Sequence, residues 1–422
     1  MKNVSGVLFE GTSFNCTGNT PQNKTCHFRN LCYSYSANVF VYIHSPNSEE
    51  LSIEVNGREA LSLLPLTTAS GVNVYLRYIN VTRNQLHLYE DNFIFRPGKY
   101  IIYSRFVANH VMFLFHNELI PLYFTLLRHF DESQFSSIKL FIKDEDDIKD
   151  FAVLYKKFSP HPPLLRYELG LELSETVTCF QEATIGLVRE SIWYQYGLKE
   201  PGRPLKDPSV TAGHIRQFTT FLKQKLEIEP YCSNASAYGI LLSRKKNRLL
   251  LNEKELQAAI SDEFQIKMIE LSLEHCSISF IIEKISCAKL VVGVHGALLV
   301  VTMFLPPTSM VMEIFPYAVN PNHRTAYRTL TQLPGMDIMY GCWRNMDKTK
   351  TVTQPFVHPV HGGISHLPPE EQERINNITE VPHNKFGSDP EWRFHLFQDT
   401  IVDIPAVIDT MKDLGFEYLL KS

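Results

Sequence analysis

The chain has 422 residues, of which 44% are hydrophobic, and this length allows about two or three domains with substantial cores. The formal net charge is −4. The sequence therefore lacks the basic excess of nucleic-acid-binding proteins, and it contains no basic amphipathic stretch that would indicate binding to a membrane surface.

The first segment, residues 1–36, is rich in Ser, Thr and Asn and predicts a loop-rich N-terminal arm held by disulfides among Cys16, Cys26 and Cys32. The spacing does not fix the pairing, and no Cys-x-x-Cys indicates a zinc ribbon. Sequons favour the secretory pathway, and they begin at Asn3, Asn15, Asn23, Asn80, Asn234 and Asn377. Because residues 1–5 open no signal peptide, we expect the natural N-terminus to lie upstream.

The next part of the chain alternates strand-like and helical patterns. Strands are predicted at Val39–His44, Leu51–Val55, Tyr100–Phe106 and Ile138–Ile142, and helices at Leu119–Phe130 and Asp146–Phe158. Residues 201–208 contain three prolines and a glycine, which predicts a linker.

The pattern becomes more regular after the linker. Strands are predicted at Tyr238–Ser243, Ile266–Leu271, Leu290–Val294 and Met310–Phe315, and helices at Thr211–Leu226, after Asn252, at Ser277–Ser286 and over 297–304. Such alternation predicts an α/β fold with a parallel sheet covered on both faces.

Several polar residues follow the strands of this second half. Arg244 and Arg248 come directly after one strand, His295-Gly296-Ala297 after another, and Glu313 lies near the end of the next. Because ligands bind beyond the carboxyl ends of parallel strands, these residues should share one rim. Arginines and open backbone N–H groups suit a diphosphate, and a carboxylate can accept the hydroxyls of a ribose. The alternative for the arginines is a solvated loop.

A second set of candidates lies in the first half. His116 and Glu118 are predicted at the entry to a helix, with Pro121 in its first turn. Either side chain could act as the base that deprotonates an acceptor hydroxyl in a glycosyl transfer. The alternative is a helix cap beside a surface histidine. His358, His361 and His366 match no familiar metal site, so no metal ligands are assigned.

Several longer motifs are more specific. In order and spacing the chain resembles the O-mannose β-1,4-N-acetylglucosaminyltransferases, in the glycosyltransferase family that also holds the EGF-domain-specific O-GlcNAc transferase and plant xylosyltransferases. The similar stretches run from about residue 26 to the C-terminus, and they include 29–33, 193–197, 243–249, 313–321, 343–346, 362–366 and 403–405.

The resemblance implies a GT-B fold with two Rossmann-like halves facing a cleft. An acceptor-side domain would span 37–205, a nucleotide-sugar domain 206–385, and a helical segment, 386–422, would pack back on the N-terminal half. It also implies inverting transfer from UDP-GlcNAc as the donor substrate, without a permanently bound cofactor, to O-linked mannose on a secretory glycoprotein of the α-dystroglycan type. Arg244 and His295 match positions expected to contact the UDP. The location would be the luminal side of the endoplasmic reticulum, with a membrane anchor outside this chain.

One departure from the family pattern bears on activity. Where an Asn and a His are expected, this chain has His110 and Phe113. Two alternatives therefore stand beside the leading one: a catalytically impaired relative that binds nucleotide or glycan, and a transferase that acts on Ser or Thr of EGF domains.

Overall fold

The computed structural model describes residues 11–18, 24–43, 64–69, 78–81, 93–148, 151–172, 177–228 and 237–421. The chain divides into two compact units, residues 1–192 and 193–422, whereas the sequence places the start of the second domain at residue 206. Several predicted features lie outside the described residues: the strand Leu51–Val55, the sequon residues Asn3, Asn23 and Asn234, and Cys232.

The first unit is built on a mixed sheet, which has eight strands within the described residues. Its strands are β1 (Ser13–Thr17), β2 (Thr25–Ser34), β3 (Val39–Ile43), β4 (Tyr78–Val81), β5 (Phe93–Tyr103), β6 (Ile138–Ile142), β7 (Leu164–Leu165) and β8 (Val177–Ile185). The order is β4-β3-β2-β8-β5-β6-β7, and β1 also pairs with β2. Its helices are α1 (Val111–Phe113), α2 (Ile120–His129), α3 (Ala152–Tyr155) and α4 (Arg166–Glu172), with a π-helix at Leu114–Leu119 and a 3₁₀ helix at Glu132–Ser137.

This sheet differs from the predicted Rossmann-like half. β2 runs antiparallel to β3 and β8, whereas β5 runs parallel to β6 and β8. The residues predicted as an N-terminal arm instead supply β1 and β2, and Phe28 and Leu31 of β2 pack in one core with Phe141 and Phe180. Polar residues interrupt the apolar pattern of β2, which is why its sequence indicates a loop.

Two disulfides join strands of the first unit. Cys16 pairs with Cys26 across β1 and β2, as one of the predicted combinations has it, and Cys32 pairs with Cys179 across β2 and β8. In both cases the two cysteines lie directly opposite each other in the antiparallel register. The second bridge therefore ties the N-terminal strands to a strand almost 150 residues later in the chain.

The second unit contains a five-stranded sheet in which every strand is parallel to its neighbours. Its strands are β11 (Tyr238–Leu242), β12 (Lys267–Leu271), β13 (Leu290–Val294), β14 (Ser309–Phe315) and β15 (Ile338–Arg344), in the order β12-β11-β13-β14-β15. Short strands β9 (Tyr194–Gln195) and β10 (Arg203–Pro204) pair, as do β16 (Thr351–Val352) and β17 (Asp399–Thr400). The predicted parallel sheet is confirmed for this unit.

Helices connect these strands and follow them. They are α5 (Ala212–Lys225), α6 (Glu253–Phe264), α7 (Ile278–Ile285), α8 (Ala326–Thr331), α9 (Pro369–Asn376), α10 (Pro390–Leu396), α11 (Ile404–Asp413) and α12 (Phe416–Lys421). 3₁₀ helices lie at Ala297–Phe304, Pro321–His323, Lys348–Lys350 and Pro359–His361. The segment 297–304, predicted as an α-helix, contains the β-branched run Val300-Val301-Thr302, which disfavours regular α-helix.

The C-terminal segment packs on the second unit's own sheet. Val407 and Met411 of α11 and Phe416 of α12 belong to the same core cluster as Val292 and Met312. The helices α11 and α12 therefore contribute to the core of the second unit. The prediction that residues 386–422 pack back on the N-terminal half stays a prediction.

The side chain of Asn252 also contributes to this packing. It precedes α6 as predicted but makes no helix-capping hydrogen bond. Instead its Nδ2 donates to the carbonyl oxygen of Val402 at 2.9 Å, and its Oδ1 accepts from the Val402 N–H at 2.8 Å. Asn252 therefore joins the chain just before α11 to the start of α6.

A search of the described residues finds no helix with both the length and the apolar character needed to cross a membrane.

We predict that the two disulfides differ in their contribution to stability. The sequence separations are 147 residues for Cys32–Cys179 and 10 for Cys16–Cys26. Loop-closure entropy then gives about 5 kcal/mol for the long bridge and about 3 kcal/mol for the short one. The free energy of unfolding in urea should therefore fall further for C32A/C179A than for C16A/C26A. Equal losses in the two double variants would contradict this account.

Candidate functional site

The first group of candidate residues lies at the carboxyl edge of the parallel sheet. Arg244 follows β11 and His295 follows β13, and these two strands are neighbours. β12 lies on the other side of β11, so the connections from β11 and β13 lead to opposite sides. A crevice forms where the strand order switches in this way, and ligands bind there in open α/β sheets. The fold thus brings both predicted loops to a position suited to a ligand.

Arg248 is a buried cation within this crevice. Its Nη1 donates to the carbonyl oxygen of His295 at 2.9 Å, and its guanidinium carbon lies 5.0 Å from the centre of the Phe397 ring. Its buried Nε has no hydrogen-bond partner among the described residues. Burial, reinforced by the nearby Arg244 cation, lowers the pKa of Arg248 to about 9. The group remains charged at neutral pH.

Gly296 is where the two guanidinium groups meet. A Cβ atom placed on Gly296 would lie 2.8 Å from Nη1 of Arg248 and 3.5 Å from Nη1 of Arg244. Asn247 holds Arg244 by accepting from its Nε and Nη2, both at 3.0 Å. Neither arginine has a carboxylate within ion-pair distance in the part of the chain that the structure describes. An anion is the ligand class that would balance these charges.

His295 lies beside this pair of cations. Its Nδ1 is 2.6 Å from Oε1 of Glu313, and its ring stacks on Phe315 with the centroids 4.9 Å apart. The edges of Tyr327 and Trp392 approach the same ring, at 5.9 Å and 6.4 Å between centroids. The side chain keeps 12% of its surface exposed. The imidazole is therefore fixed in plane and in rotation, while part of it still faces solvent.

Glu313 has partners other than the ribose hydroxyls that the sequence predicts. The side chain is fully buried, and its Oε2 accepts from the Tyr340 hydroxyl at 2.5 Å while Oε1 contacts His295. Both oxygens are engaged within the protein. The structure therefore shows Glu313 in contact with a histidine and a tyrosine, and its contact with a ribose stays a prediction.

Several residues at this site were not found by sequence reasoning. The Tyr327 hydroxyl donates to the carbonyl oxygen of Gly296 at 2.7 Å, and the Arg324 guanidinium lies 4.1 Å from the Trp392 ring centre. These contacts join distant segments and leave no local signal. The strand register would have identified Tyr340. Glu313 pairs with Cys342 in the β14–β15 register, and Tyr340 lies two residues earlier on the same face.

The second group of candidates lies inside a helix of the first unit rather than at its start. Helical backbone begins at Val111, passes through the π-helix Leu114–Leu119 and continues into α2. Pro121 cannot donate to the carbonyl oxygen four residues earlier, and that oxygen, on Asn117, accepts from Thr68 Oγ1 at 2.7 Å. Pro121 therefore marks the change from π-helix to α-helix and not the start of a helix. Short π-helical segments inside α-helices are frequent at functional sites.

Glu118 belongs to a buried network of tyrosines. Its Oε1 accepts from the hydroxyls of Tyr103 and Tyr155, at 2.9 Å and 2.6 Å. Burial raises the pKa of Glu118 to about 7, against the opposing effect of the tyrosine hydrogen bonds and the Arg105 cation. A carboxyl with such a pKa changes charge near neutral pH, as a general base at that pH should.

His116 is less suited to contact a ligand. The residue is fully buried, and its Nδ1 lies 2.8 Å from Oδ1 of Asn117. Burial lowers the pKa of His116 to about 4, so the ring is neutral at pH 7. Glu118 keeps 4% of its surface exposed, which favours it over His116 as the group that meets an acceptor.

The described residues contain no group of three or more His, Cys, Asp or Glu side chains arranged to hold a metal ion. His358 and His361 lie near each other, with ring centroids 6.5 Å apart, in the loop around a 3₁₀ helix.

Comparison with known proteins gives consistent results. Residues 27–312 match the Glycosyltransferase 61 family. The human protein named protein O-linked-mannose β-1,4-N-acetylglucosaminyltransferase 2 is 39% identical over 409 residues, and the mouse protein of the same name is 38% identical over 413 residues. Both alignments cover 96% of this chain and 70% of the relative. The Xenopus laevis protein is 37% identical, over 97% of this chain and 70% of its own length.

Among solved structures, E. coli heptosyltransferase WaaC with ADP aligns with this chain at 16% identity and a TM-score of 0.20. The alignment covers 35% of this chain and 45% of the heptosyltransferase chain. A TM-score of 0.20 is too low to indicate a shared fold.

We predict that inorganic pyrophosphate binds this site and that Arg248 is required. R248M should lower the affinity about tenfold or more, because hydrogen bonds to a charged group are lost, without lowering the unfolding temperature. Calorimetric titration near pH 7 measures the affinity. The control is K246M, which removes an exposed lysine of the same loop and should bind as wild type. Undiminished binding by R248M would exclude this anion site.

Proposed function

Because the chain belongs to the Glycosyltransferase 61 family and is a glycosyltransferase, we propose that it transfers GlcNAc from UDP-GlcNAc to O-linked mannose on a glycoprotein, in a β-1,4 linkage. The names of the relatives, at 35% to 39% identity over most of the chain, support the donor, acceptor and linkage. One structural observation supports nucleotide binding: two guanidinium groups without carboxylate partners among the described residues meet at Gly296.

The proposed donor contacts follow from the geometry of the crevice. The diphosphate of UDP-GlcNAc would lie against Gly296, within reach of Nη1 of both Arg244 and Arg248. Gly296 precedes the 3₁₀ helix and Ala297 is its first residue, so their backbone N–H groups would donate to phosphate oxygens. His295 would approach from the side. A side chain at residue 296 would occupy the same space, which accounts for a glycine in extended backbone that any residue could adopt.

We also propose that the two units are the two halves of a GT-B transferase. The second unit has the parallel, doubly wound sheet expected of a nucleotide-binding half. The first unit has its own sheet and core and would be the acceptor side. Its mixed sheet makes it a modified rather than a standard Rossmann-like half.

The proposed reaction is an inverting displacement at C1 of GlcNAc. The acceptor hydroxyl oxygen forms the new bond to C1, and the C1–O bond to the β-phosphate breaks with its electron pair leaving on UDP. The hydroxyl proton passes to a base, for which we propose Glu118. The guanidinium groups stabilise the negative charge that develops on the departing diphosphate. Their low-dielectric surroundings strengthen this effect.

We propose the lumen of the endoplasmic reticulum as the compartment, with an O-mannosylated glycoprotein of the α-dystroglycan type as acceptor. Disulfides persist in oxidising compartments, and the described residues contain the bridges Cys16–Cys26 and Cys32–Cys179. The exposed sequon residues Asn15 and Asn377 are compatible with glycosylation there.

A second candidate function is suggested by His110 and Phe113. Their rings stack with centroids 4.3 Å apart at an angle of 25°, just before the helix that carries Glu118. Such a pair replaces polar groups with a ring stack and would suit a relative that binds nucleotide or glycan without transfer.

We predict saturable UDP binding and transfer of labelled GlcNAc to an O-mannosyl peptide. R244A should weaken UDP binding about tenfold or more, since it removes a charged donor, while K246A should not. A panel with UDP-xylose and an EGF domain tests donor and acceptor choice. Absence of UDP binding by the folded protein would refute the proposal, and binding without transfer to any acceptor would favour the non-catalytic relative.

We further predict that transfer depends on Glu118 and on pH. The base form is the carboxylate, so the rate should rise with pH below about 7 and level off above it. E118Q should lower kcat about 100-fold or more. The control E132Q changes an exposed glutamate of the same unit and should leave kcat unchanged. Wild-type turnover by a folded E118Q variant would assign Glu118 a structural role.

A further inference from the structure

Two phenols bond the Glu118 carboxyl, and both bond the same oxygen. The Tyr103 hydroxyl donates to Oε1 at 2.9 Å, and the Tyr155 hydroxyl donates to the same atom at 2.6 Å. Oε2 makes no hydrogen bond with the described residues. The buried polar atoms that lack a partner in this part of the chain do not include Oε2, so this oxygen keeps some contact with solvent. One oxygen is thus occupied by the protein, and the other is open.

Three separate elements bring this carboxyl and its donors together. Glu118 lies in the π-helix Leu114–Leu119, Tyr103 is the last residue of β5, and Tyr155 is the last residue of α3. All three side chains are buried, and burial of polar groups costs free energy unless they are hydrogen-bonded. One phenol would already give Oε1 a partner. A second phenol on the same oxygen, with none on Oε2, is therefore more than the burial of the carboxyl requires.

A nearby cation, Arg105, does not occupy the open oxygen. Its guanidinium forms an ion pair with Asp144, in which Nε lies 3.0 Å from Oδ2, and its Nη1 donates to the carbonyl oxygen of Asp147 at 3.0 Å. Glu118 itself forms no ion pair with the described residues. Arg105 therefore acts on Glu118 through its charge alone, and Oε2 stays available.

We propose that Tyr103 and Tyr155 are positioning residues, which reserve Oε2 of Glu118 as the atom that takes the proton of the acceptor hydroxyl. This inference rests on the proposed function and specifies which oxygen of the base acts. The acceptor oxygen bonds to C1 of GlcNAc as its O–H bond breaks and the proton moves to Oε2. The electron pair of the broken C1–O bond leaves on UDP. Oε1 becomes the carbonyl oxygen of the carboxylic acid and keeps both hydrogen bonds from the phenols.

Because the phenols share one oxygen, the carboxyl can change charge while its donors stay in place. With one phenol on each oxygen, protonation of either oxygen would break a hydrogen bond or require a hydroxyl to turn. Here the same two bonds persist in both states and are stronger to the carboxylate. Burial raises the pKa of Glu118 to about 7, and the phenols oppose that rise. They therefore favour the form of Glu118 that accepts a proton.

The titratable groups that face Glu118 come from β5, from α3 and from the segments after β5 and β6. Burial raises the pKa of Tyr103 and of Tyr155 well above the usual range, so both remain hydrogen-bond donors near neutral pH. Burial tends to lower the pKa of Arg105, but its hydrogen bonds to Asp144 and the charge of that carboxylate raise it above its usual value. A change in rate near neutral pH would therefore report on Glu118.

The test is the pH profile of kcat at saturating UDP-GlcNAc and O-mannosyl peptide, between about pH 5.5 and pH 8.5. Both phosphates of UDP-GlcNAc are esterified, so the donor keeps its charge over this range. Y103F and Y155F each remove a donor to the carboxylate, which raises the pKa of Glu118 and should move the profile to higher pH by about one unit. Well below pH 7, kcat should then be about tenfold lower than in wild type. The difference should shrink at higher pH.

The matched control is Y33F. Tyr33 is another buried phenol of the first unit, and its hydroxyl donates to Oδ1 of Asn38 at 2.8 Å. Y33F removes a hydrogen bond of the same kind and should keep the wild-type pH profile. A second measurement does not depend on catalysis: ¹³C NMR of labelled glutamate side chains follows the titration of Glu118, with E118Q to assign its signal. This titration should also move to higher pH in Y103F and Y155F.

The outcomes separate the two proposals. If the wild-type protein does not transfer GlcNAc, or if E118Q transfers at the wild-type rate, the proposed function or its base fails. If wild type transfers and E118Q does not, but Y103F and Y155F keep the wild-type pH profile and NMR titration, the positioning role alone is overturned. An equal loss of kcat at every pH would overturn it as well, because such a loss indicates a structural defect. Should one phenylalanine variant not fold, the other decides.

Discussion

The crevice of the second unit contains a guanidinium group that is buried without a carboxylate partner among the described residues, and the stability of the surrounding sheet must compensate for it. Arg248 bonds a backbone carbonyl and stacks on Phe397, and the Arg244 cation lies nearby. A buried, uncompensated charge destabilises a fold by several kcal/mol. The surrounding sheet must supply that stability, and its five parallel strands, with the C-terminal helices packed on them, provide a large apolar core. An anionic ligand would remove the cost, which couples ligand binding to stability.

Much of the architecture of the second unit can be predicted from the local pattern of apolar residues in the sequence. Each of its sheet strands except β15 was predicted within about two residues, because buried parallel strands are continuous apolar runs. The sequence also predicted a ligand beyond the carboxyl ends of these strands. The strand order, with its switch between β11 and β13, was not predicted and comes from the structure. The packing of residues 386–422 could not be predicted, since an amphipathic helix such as α11 identifies its apolar face but not the surface that covers it.

The fold of the first unit was harder to predict from the sequence, because its sheet is mixed. β2 and β8 pair across almost 150 residues of sequence, and their polar positions hide the strand pattern. Of the candidate residues, Arg244, Arg248, His295 and Gly296 lie close together as predicted, because they belong to the segments that follow the neighbouring strands β11 and β13. The contacts of Glu313 with Tyr340 and His295 depend on side-chain packing that a linear pattern does not contain.

Each of the two candidate groups contains a buried carboxyl that accepts hydrogen bonds from tyrosine hydroxyls. In the first unit burial raises the pKa of Glu118 to about 7, and the hydroxyls of Tyr103 and Tyr155 oppose that shift, so the carboxyl can gain and lose a proton near neutral pH. In the second unit Oε2 of Glu313 accepts from the Tyr340 hydroxyl, and Oε1 lies 2.6 Å from Nδ1 of His295. Both oxygens of Glu313 are therefore engaged within the protein, which suits a side chain that holds its neighbours in place, whereas both phenols at Glu118 share one oxygen, Oε1.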